Sequence, residues 1–322
     1  MVNVNTYAKV VVFLALLAGA VSCEDVPTST LPGPYVPPPV KGEDGRRLLW
    51  APKPGEKQCY EPSFSPDGTK VVVSYRFGIF ARAAELAILD LTTGKIDVIL
   101  EGNCAKRPSW SPTGKWIVYG SDSDIAPYNW LCRPNGSENH RIEIKWAKAP
   151  RWGSGGDRIY FSTAIEPREP DYAVYYDLEE EKLNVLRKDA FYHHGAVVPA
   201  PGEEKITFNL ISTSGKPVDD VILALINKDG KGFERLWGPG NGTGGPVIWS
   251  PDSKYILVWY GVLRSDQEGL WTYEVKSGVV RQLTRCPRET DFETIEGASW
   301  GPNGDIVFAS EHGSLYLIKA PE

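Results

Sequence analysis

The stretch Pro62-Ser63-Phe64-Ser65-Pro66-Asp67-Gly68 places an aromatic residue directly before a tight Ser-Pro-Asp-Gly turn. Asp and Gly suit such a turn, because Asp bonds to nearby backbone N–H groups and Gly adopts positive φ without strain. A run rich in valine, as strands prefer, follows the turn. Related copies of the phrase begin at Pro108, Pro150, Ala196, Val247 and Ala298. A phrase repeated in this way predicts a repeat architecture made of strands.

The spacing of the copies predicts which repeat architecture this is. The residues before the turns, which we call anchors, recur at intervals of about 42 to 51 residues, the length of one four-stranded propeller blade. They are Phe64, Trp110, Trp152, Val198, Trp249 and Trp300. Within the first copy we predict strands at 61–65, 70–75, 85–91 and 95–100. The sequence therefore predicts an all-β fold, a six-bladed β-propeller of four-stranded blades.

The two ends of the repeat region predict how the ring closes. The sixth copy has only three strand-like runs, the third at 314–319, while an additional run at 46–50 precedes the first copy. We predict that 46–50 is the outer strand of the last blade, which removes an open sheet edge. In blade four, Val198 replaces the aromatic anchor and Glu203-Glu204 are inserted, so we expect the packing there to be the loosest.

The repeated phrase, whose general form is Trp-Ser-Pro-Asp-Gly, resembles the repeats of TolB-like propellers, over about 270 of the 322 residues. The resemblance implies a six-bladed propeller, commonly outside the bacterial cytoplasm, that serves as a docking platform. TolB itself carries an additional amino-terminal domain, which we do not find in this sequence. Its role in envelope assembly therefore does not transfer.

The amino terminus predicts export. Lys9 is followed by an apolar run at 10–21 that is too short for a membrane span of about 20 residues, which favours a signal peptide over residues 1–22. Ala20-Val21-Ser22-Cys23 resembles a lipobox, so we predict lipidation at Cys23, with ordinary cleavage and secretion as the alternative. The proline-rich residues 23–43 predict a stiff tether. Residues 44–322 then form a single propeller domain attached to the cell envelope, periplasmic or at the surface, through the lipid.

The composition of the chain limits the kinds of partner that we expect it to bind. The net charge of −6 and the pI of about 5.5 argue against nucleic acid, which selects clustered lysine and arginine. We find no cofactor motif and expect a monomer with a protein or peptide partner.

The cysteines after Cys23 can be oxidised in an exported protein. Cys59 and Cys104 precede neighbouring anchors by similar distances, which favours a disulfide between them, with Cys59–Cys286 as the alternative. Cys132 falls within a third strand and is expected to stay reduced. No Cys-x-x-Cys pair is present, so the spacing does not predict zinc.

Strand order sorts the surface into two faces. The Ser-Pro-Asp-Gly turns lie on one, the turn face; the linkers between blades and the loops between second and third strands lie on the other, the loop face. The loop face has the longer segments, where recognition usually resides.

Two groups of candidate binding residues fall on the loop face. The arginines of the first group could converge and grip carboxylates or phosphates, although scattered surface arginines are the alternative: Arg76, Arg82, Arg168 and Arg264. The second group is His193 and His194, which as neighbours on a strand point to opposite sides and fit ordinary linker residues better than a metal or acid–base site. An acidic linker at 289–296 fits a solvated charge run better than a calcium loop.

Catalytic residues are not predicted, because the sequence has no Gly-x-Ser-x-Gly elbow and no recognisable appended catalytic segment. Two hypotheses remain. The first is a nonenzymatic, envelope-associated propeller that docks a protein or peptide through its loop face. The alternative is a propeller enzyme acting on a polysaccharide or another small substrate at the channel mouth.

Overall fold

The computed structural model describes the greater part of the propeller region. The described residues are 35–36, 45–78, 81–102, 104–121, 127–164, 171–188, 192–212, 221–237, 243–261, 269–284, 295–310 and 312–321. The predicted signal peptide, Cys23 and most of the tether lie outside them.

Six strands surround the central axis, one from each copy of the repeat. They are β3 (Gln58–Phe64), β7 (Ala105–Trp110), β11 (Lys148–Trp152), β15 (Tyr192–Pro199), β19 (Thr243–Trp249) and β23 (Ile295–Trp300). Each packs against the inner strand of the next blade, and β23 packs against β3, so the ring is closed.

Each inner strand begins an antiparallel sheet of four strands that runs outward. The second strands are β4 (Lys70–Arg76), β8 (Ile117–Ser121), β12 (Arg158–Thr163), β16 (Lys205–Ser212), β20 (Tyr255–Gly261) and β24 (Asp305–Ser310). The third strands are β5 (Glu85–Asp90), β9 (Tyr128–Cys132), β13 (Tyr172–Asp177), β17 (Val221–Asn227), β21 (Gly269–Glu274) and β25 (Leu315–Lys319). The outer strands are β6 (Ile96–Leu100), β10 (His140–Arg141), β14 (Lys182–Arg187), β18 (Glu234–Trp237), β22 (Val280–Gln282) and β2 (Arg47–Trp50). The predicted six-bladed, four-stranded architecture is confirmed.

The outer strand of blade six comes from the amino-terminal side of the propeller, as predicted. β2 pairs antiparallel with β25, with Arg47 opposite Leu317 and Trp50 opposite Leu315. Blade six is also bonded to blade one, because the Cys59 N–H donates to the Gly313 carbonyl at 3.1 Å. The first and last copies of the repeat are therefore joined by both a shared sheet and a direct hydrogen bond.

The tether contributes a short strand of its own, which the sequence did not predict. β1 (Tyr35–Val36) pairs in parallel with β22, with Tyr35 opposite Val280. The sheet of blade five thus has five strands, with Tyr35 and Val36 at its outer edge.

The core is divided among the spaces between neighbouring blades. One cluster joins blades six and one, packing Val71 and Val73 against Val307 and Leu315. Inner strands are also bonded from blade to blade at the anchor positions. These bonds are Phe64 N to Ser299 Oγ (3.1 Å), Trp110 N to Ser63 Oγ (3.1 Å), Trp152 Nε1 to Ser109 O (3.0 Å) and Trp249 Nε1 to Val198 O (3.2 Å).

All six turns after the anchors have the same geometry. In each, the N–H of the fourth turn residue donates to the carbonyl of the first, and that fourth residue has positive φ. The fourth residues are Gly68, Gly114, Gly156, Glu203, Ser253 and Gly304. Glycine is expected there, so glutamate in blade four requires a separate explanation.

The register of blade four corrects two details of the prediction. Pro199 pairs with Ile206 where blade one pairs Phe64 with Val71, so Pro199 and not Val198 holds the anchor position. Glu203 accordingly occupies the turn position of Gly68 and is no insertion. Val198 is buried and packs with tryptophans of blade five, which does not fit a loosely packed blade.

Glu203 is buried and bonds to blade three. Its Oε2 accepts from the Tyr160 hydroxyl at 2.6 Å and lies 3.6 Å from Arg158 Nη1, while its Oε1 accepts from Gly155 N–H at 3.1 Å. Burial and the Glu203 charge raise the pKa of Tyr160, which keeps the hydroxyl protonated and able to donate. Glu203 therefore couples blades three and four where the aromatic anchor is missing.

We expect Leu49→Ala to weaken ring closure. Leu49 packs against the cluster between blades six and one, whereas its neighbour Leu48 is 53% exposed. Truncating Leu49 should lower the free energy of unfolding by about 1–2 kcal/mol, and Leu48→Ala should change it by less than about 0.5 kcal/mol. Urea denaturation of the two variants makes the comparison. Equal losses would show that β2 does not pack as described.

We expect Tyr160→Phe to lower the free energy of unfolding by about 1–3 kcal/mol, because a buried carboxylate loses its shortest hydrogen bond. Tyr175→Phe is the control, since the Tyr175 ring contacts Tyr160 but its hydroxyl has no hydrogen bond to any residue that the structure describes. Urea denaturation at neutral pH measures both. A Tyr160→Phe protein as stable as the wild type would contradict the role of Glu203.

Candidate functional site

The inner strands carry an irregularity that positions side chains at the ring axis. Each contains a β-bulge, at which two residues of the inner strand lie opposite one residue of the second strand. The bulged pairs are residues 61–62, 107–108, 149–150, 195–196, 245–246 and 296–297. Bulges bend a strand and re-aim its side chains, and they are common beside functional sites.

The bulges of blades one to three share one backbone conformation. The first bulged residue has positive φ in each: 53° at Glu61, 50° at Arg107 and 52° at Ala149. Proline follows each of them, which a bulge tolerates because its N–H is not needed in the ladder. Non-glycine residues rarely adopt this conformation, and it costs about 1–2 kcal/mol per residue. Three consecutive blades thus maintain a strained backbone at the same place beside the axis.

Glu61 lies at the centre of a group of charged residues. Its Oε2 accepts from the Arg107 backbone N–H at 2.9 Å and lies 3.5 Å from Arg76 Nη1, and its Oε1 lies 3.7 Å from Arg107 Nε. The Glu61 side chain is largely buried, whereas that of Arg107 is 53% exposed. One carboxylate therefore contacts arginines from two blades.

Arg76 supports this group from within the wall of the channel. It is 3% exposed, its guanidinium lies over the Tyr60 ring at 4.7 Å, and its Nη1 donates to Ser74 Oγ at 3.1 Å. Its Nε has no hydrogen-bond partner among the described residues. A buried guanidinium with an unused donor is an unusual feature that suggests a ligand.

Arg151 extends the group to blade three. Its Nη1 donates to the Pro150 carbonyl at 2.8 Å and to the Arg107 carbonyl at 3.4 Å. Burial, and then the neighbouring Arg107, lower the pKa of Arg151 to about 10, an effect that Glu61 only partly opposes. Within the described part of the chain, Arg151 forms no ion pair with a carboxylate.

We call Glu61, Arg76, Arg107 and Arg151 the channel cluster. Among the residues whose side chains the structure describes, these three guanidinium groups have one carboxylate, Glu61, so the channel cluster carries a positive surplus. Arginine does not give up its proton at physiological pH, and its fork of N–H groups matches oxygen anions. The arrangement is therefore suited to binding an anion and not to transferring protons.

The structure brings one of the predicted binding residues into this cluster. Arg76 belongs to it, while Arg82 is exposed in the loop after β4. Arg168 and Arg264 lie outside the described residues, so the predicted convergence of four arginines stays a prediction. His193 and His194 lie in β15, opposite Ile211 and Leu210, and their side chains lie outside the described residues.

Three members of the cluster were not predicted from the sequence. A signal for them was present, because Glu61 and Arg107 directly precede the proline of their repeat phrase and Arg151 directly follows it. Charged residues on either side of this proline, in three successive copies of the repeat, indicate a site. The bulge that makes them converge has no sequence signature of its own.

The predicted disulfide between Cys59 and Cys104 is absent, since both are free thiols in the structure. Cys59 is fully buried in the cluster that faces blade six, among Val307, Ala309 and Leu315. It therefore points away from blade two, where Cys104 lies. Cys132 is a buried free thiol, as expected, and the alternative partner Cys286 lies outside the described residues.

The buried thiol of Cys132 makes the fold sensitive to alkali. Burial raises its pKa from 9.0 to about 12, so between these values the unfolded chain loses a proton that the folded chain retains, and stability falls as pH rises. Between pH 8 and pH 10 the free energy of unfolding of the wild type should fall by about 1.4 kcal/mol more than that of Cys132→Ala. Urea denaturation at both pH values tests this. Cys104→Ala, at a partly exposed site, is the control and should lose as much stability between the two pH values as the wild type does. If the wild type and Cys132→Ala lose the same amount, the prediction is contradicted.

Among the described residues, no group of three or more histidine, cysteine, aspartate or glutamate residues is placed to hold a metal ion. No described helix is long and apolar enough to cross a membrane.

Comparison with known proteins shows the fold. No family model matches the sequence, and no curated protein matches it. Among solved structures, TolB from Acinetobacter baumannii superposes with a TM-score of 0.58 at 16% identity, over 83% of this chain and 64% of that one. A structure assigned to TolB from Agrobacterium tumefaciens gives 0.62 at 14% identity, over 86% and 94%. The chain thus spans less than two thirds of the Acinetobacter protein.

An enzyme of the same architecture is similarly close. An oligogalacturonate lyase in complex with manganese superposes with a TM-score of 0.56 at 16% identity, over 83% of this chain and 90% of that one. The predicted resemblance to TolB-like propellers is therefore confirmed as a likeness of fold. At these identities fold does not determine function.

Proposed function

We propose that this protein is a nonenzymatic, envelope-associated propeller that docks a protein or peptide partner through its loop face and the channel cluster. The observation that carries the proposal is the surplus of arginine in the cluster, held on a closed ring. Aligned, preorganised arginines bind oxygen anions with little loss of side-chain entropy. The likeness to TolB supports a role in protein binding by analogy.

The contacts of Glu61 favour binding over catalysis. A general acid or base needs a carboxyl or imidazole group free to reach the substrate. Glu61 is the carboxylate of the cluster, and its Oε2 is already engaged by the Arg107 N–H and by Arg76. The cluster is thus organised to hold charge at fixed positions.

The amino-terminal sequence supports attachment to the envelope. In this proposal the signal peptide at 1–22 directs export, lipidation at Cys23 anchors the protein to a membrane, and the proline-rich residues 23–43 form the tether to the propeller.

A second function is favoured by one observation. The lyase neighbour is named for a substrate built from uronic acids, and a channel lined by arginine also suits such carboxylates. The chain would then be an enzyme acting on an acidic polysaccharide. Its catalytic groups would have to come from residues other than the channel cluster.

Affinity capture from membrane extracts tests the docking function. We expect the wild type to retain a stoichiometric partner and Arg107→Gln/Arg151→Gln to lose it. The double variant removes the exposed guanidinium of Arg107 and the guanidinium of Arg151, which has no ion pair with a described carboxylate. Arg133→Gln/Arg141→Gln is the matched control, since it removes the same charge from ion pairs on the outer hairpin of blade two.

The control variant should capture the partner as the wild type does. Circular dichroism melting curves confirm that both double variants are folded. Equal capture by the wild type and the channel variant would contradict docking at this site. If folded wild type captures nothing but degrades polygalacturonate, the enzymatic function replaces the proposal.

A further inference from the structure

We infer that the channel cluster is a carboxylate-binding site that recognises a peptide carboxylate of the docked partner. The inference deepens the proposed function and rests on it. The site is built around Arg151 and the exposed guanidinium of Arg107, while Arg76 is a positioning residue behind Glu61.

The first argument is the incomplete pairing of Arg151. Its Nη1 donates to two neutral carbonyls, at 2.8 Å and 3.4 Å, and no carboxylate of the described residues pairs with it. A partly buried charge without a counter-ion is unfavourable, and repulsion from Arg107 adds to the cost. An incoming anion would relieve both effects.

The second argument is the manner in which the cluster already holds Glu61. The Glu61 carboxylate accepts a hydrogen bond from the backbone N–H of Arg107 and lies near guanidinium nitrogens of Arg107 and Arg76. The site therefore accommodates a planar carboxylate, and Glu61 occupies only part of the available donors. The exposed face of the Arg107 guanidinium remains open to an incoming carboxylate.

The third argument is the absence of competing charge on the next two blades. Ala149 and Gly195 occupy the first bulged positions of blades three and four, equivalent to Glu61 and Arg107. Neither has a side chain that could neutralise Arg151. The same bulge thus places Glu61 and Arg107 in blades one and two but no charged residue in blades three and four.

Isothermal titration with short probes tests the inference on the full-length protein. The probes are acetyl-Ala-Ala-Ala with a free carboxylate, acetyl-Ala-Glu-Ala-amide with a side-chain carboxylate, acetyl-Ala-Ala-Ala-amide, galacturonate and inorganic phosphate. We expect one or both peptide carboxylates to bind and the neutral amide not to bind. The first two probes distinguish a terminal carboxylate from an acidic side chain.

Three variants locate the site. Arg151→Gln should weaken binding of the carboxylate peptide by about 10-fold or more, since a charge-assisted contact is lost. Glu61→Gln should strengthen it by about 3- to 10-fold, because an internal competitor is neutralised. A merely structural Glu61 would give no gain in affinity. Arg133→Gln, far from the axis on blade two, should leave binding unchanged within about 2-fold.

Each remaining outcome overturns the inference. Binding of neither peptide, or equal binding to folded wild type and Arg151→Gln, shows that the cluster is no carboxylate site. Galacturonate or phosphate binding without peptide binding assigns the cluster to another ligand. If a partner is nevertheless captured through Arg107 and Arg151, the proposed docking function stands while the carboxylate inference fails, so the two failures are distinguishable.

Discussion

The joint between blade six and blade one is the interaction on which the rest of the structure depends. A propeller whose sheets each touch only their neighbours is a ring only if the last blade also meets the first. Here β2 completes the sheet of blade six, Cys59 N–H bonds to the Gly313 carbonyl, and apolar side chains of both blades share one cluster. Gly297 belongs to the same joint, since a Cβ there would lie 2.5 Å from Glu61 Cα. Closure therefore fixes the backbone at the residue around which the candidate site is built.

The site follows from a local irregularity that the closed ring makes tolerable. Positive φ at Glu61, Arg107 and Ala149 is costly for each residue, and neighbouring strands must hold it in place. These bulges bring side chains of three blades together near the axis, where Arg107 contacts Glu61 and Arg151 contacts Arg107. Charged residues from distant parts of the chain thus form one cluster without any loop of their own. The residues of the cluster are therefore positioned by the strands of the ring and not by its longer loops.

Most of the fold could be predicted from the sequence because the turn chemistry repeats. A turn related to Ser-Pro-Asp-Gly follows the first strand of each blade, and the additional run before the first copy marks the closing strand. Blade four was misaligned by one residue, because Glu203 adopts a conformation that normally indicates glycine, and only its bonds to blade three explain it. The disulfide prediction was wrong because spacing along the chain does not give the direction of a side chain: Cys59 faces blade six. Of the site, only Arg76 was predicted, since convergence at the axis depends on bulges that no local pattern announces.

The central claim is that arginines at the axis bind an anionic group of a partner. Side-chain NMR of arginine Nε–Hε groups observes these residues directly, with assignments from single Arg→Gln variants. In separate titrations with acetyl-Ala-Ala-Ala and acetyl-Ala-Glu-Ala-amide, the account predicts that at least one peptide shifts the signals of Arg107 and Arg151, that these shifts saturate together, and that the signals of Arg133 and Arg141 on blade two stay unchanged. Signals of Arg107 and Arg151 that do not move with either peptide, in a folded protein, would contradict it.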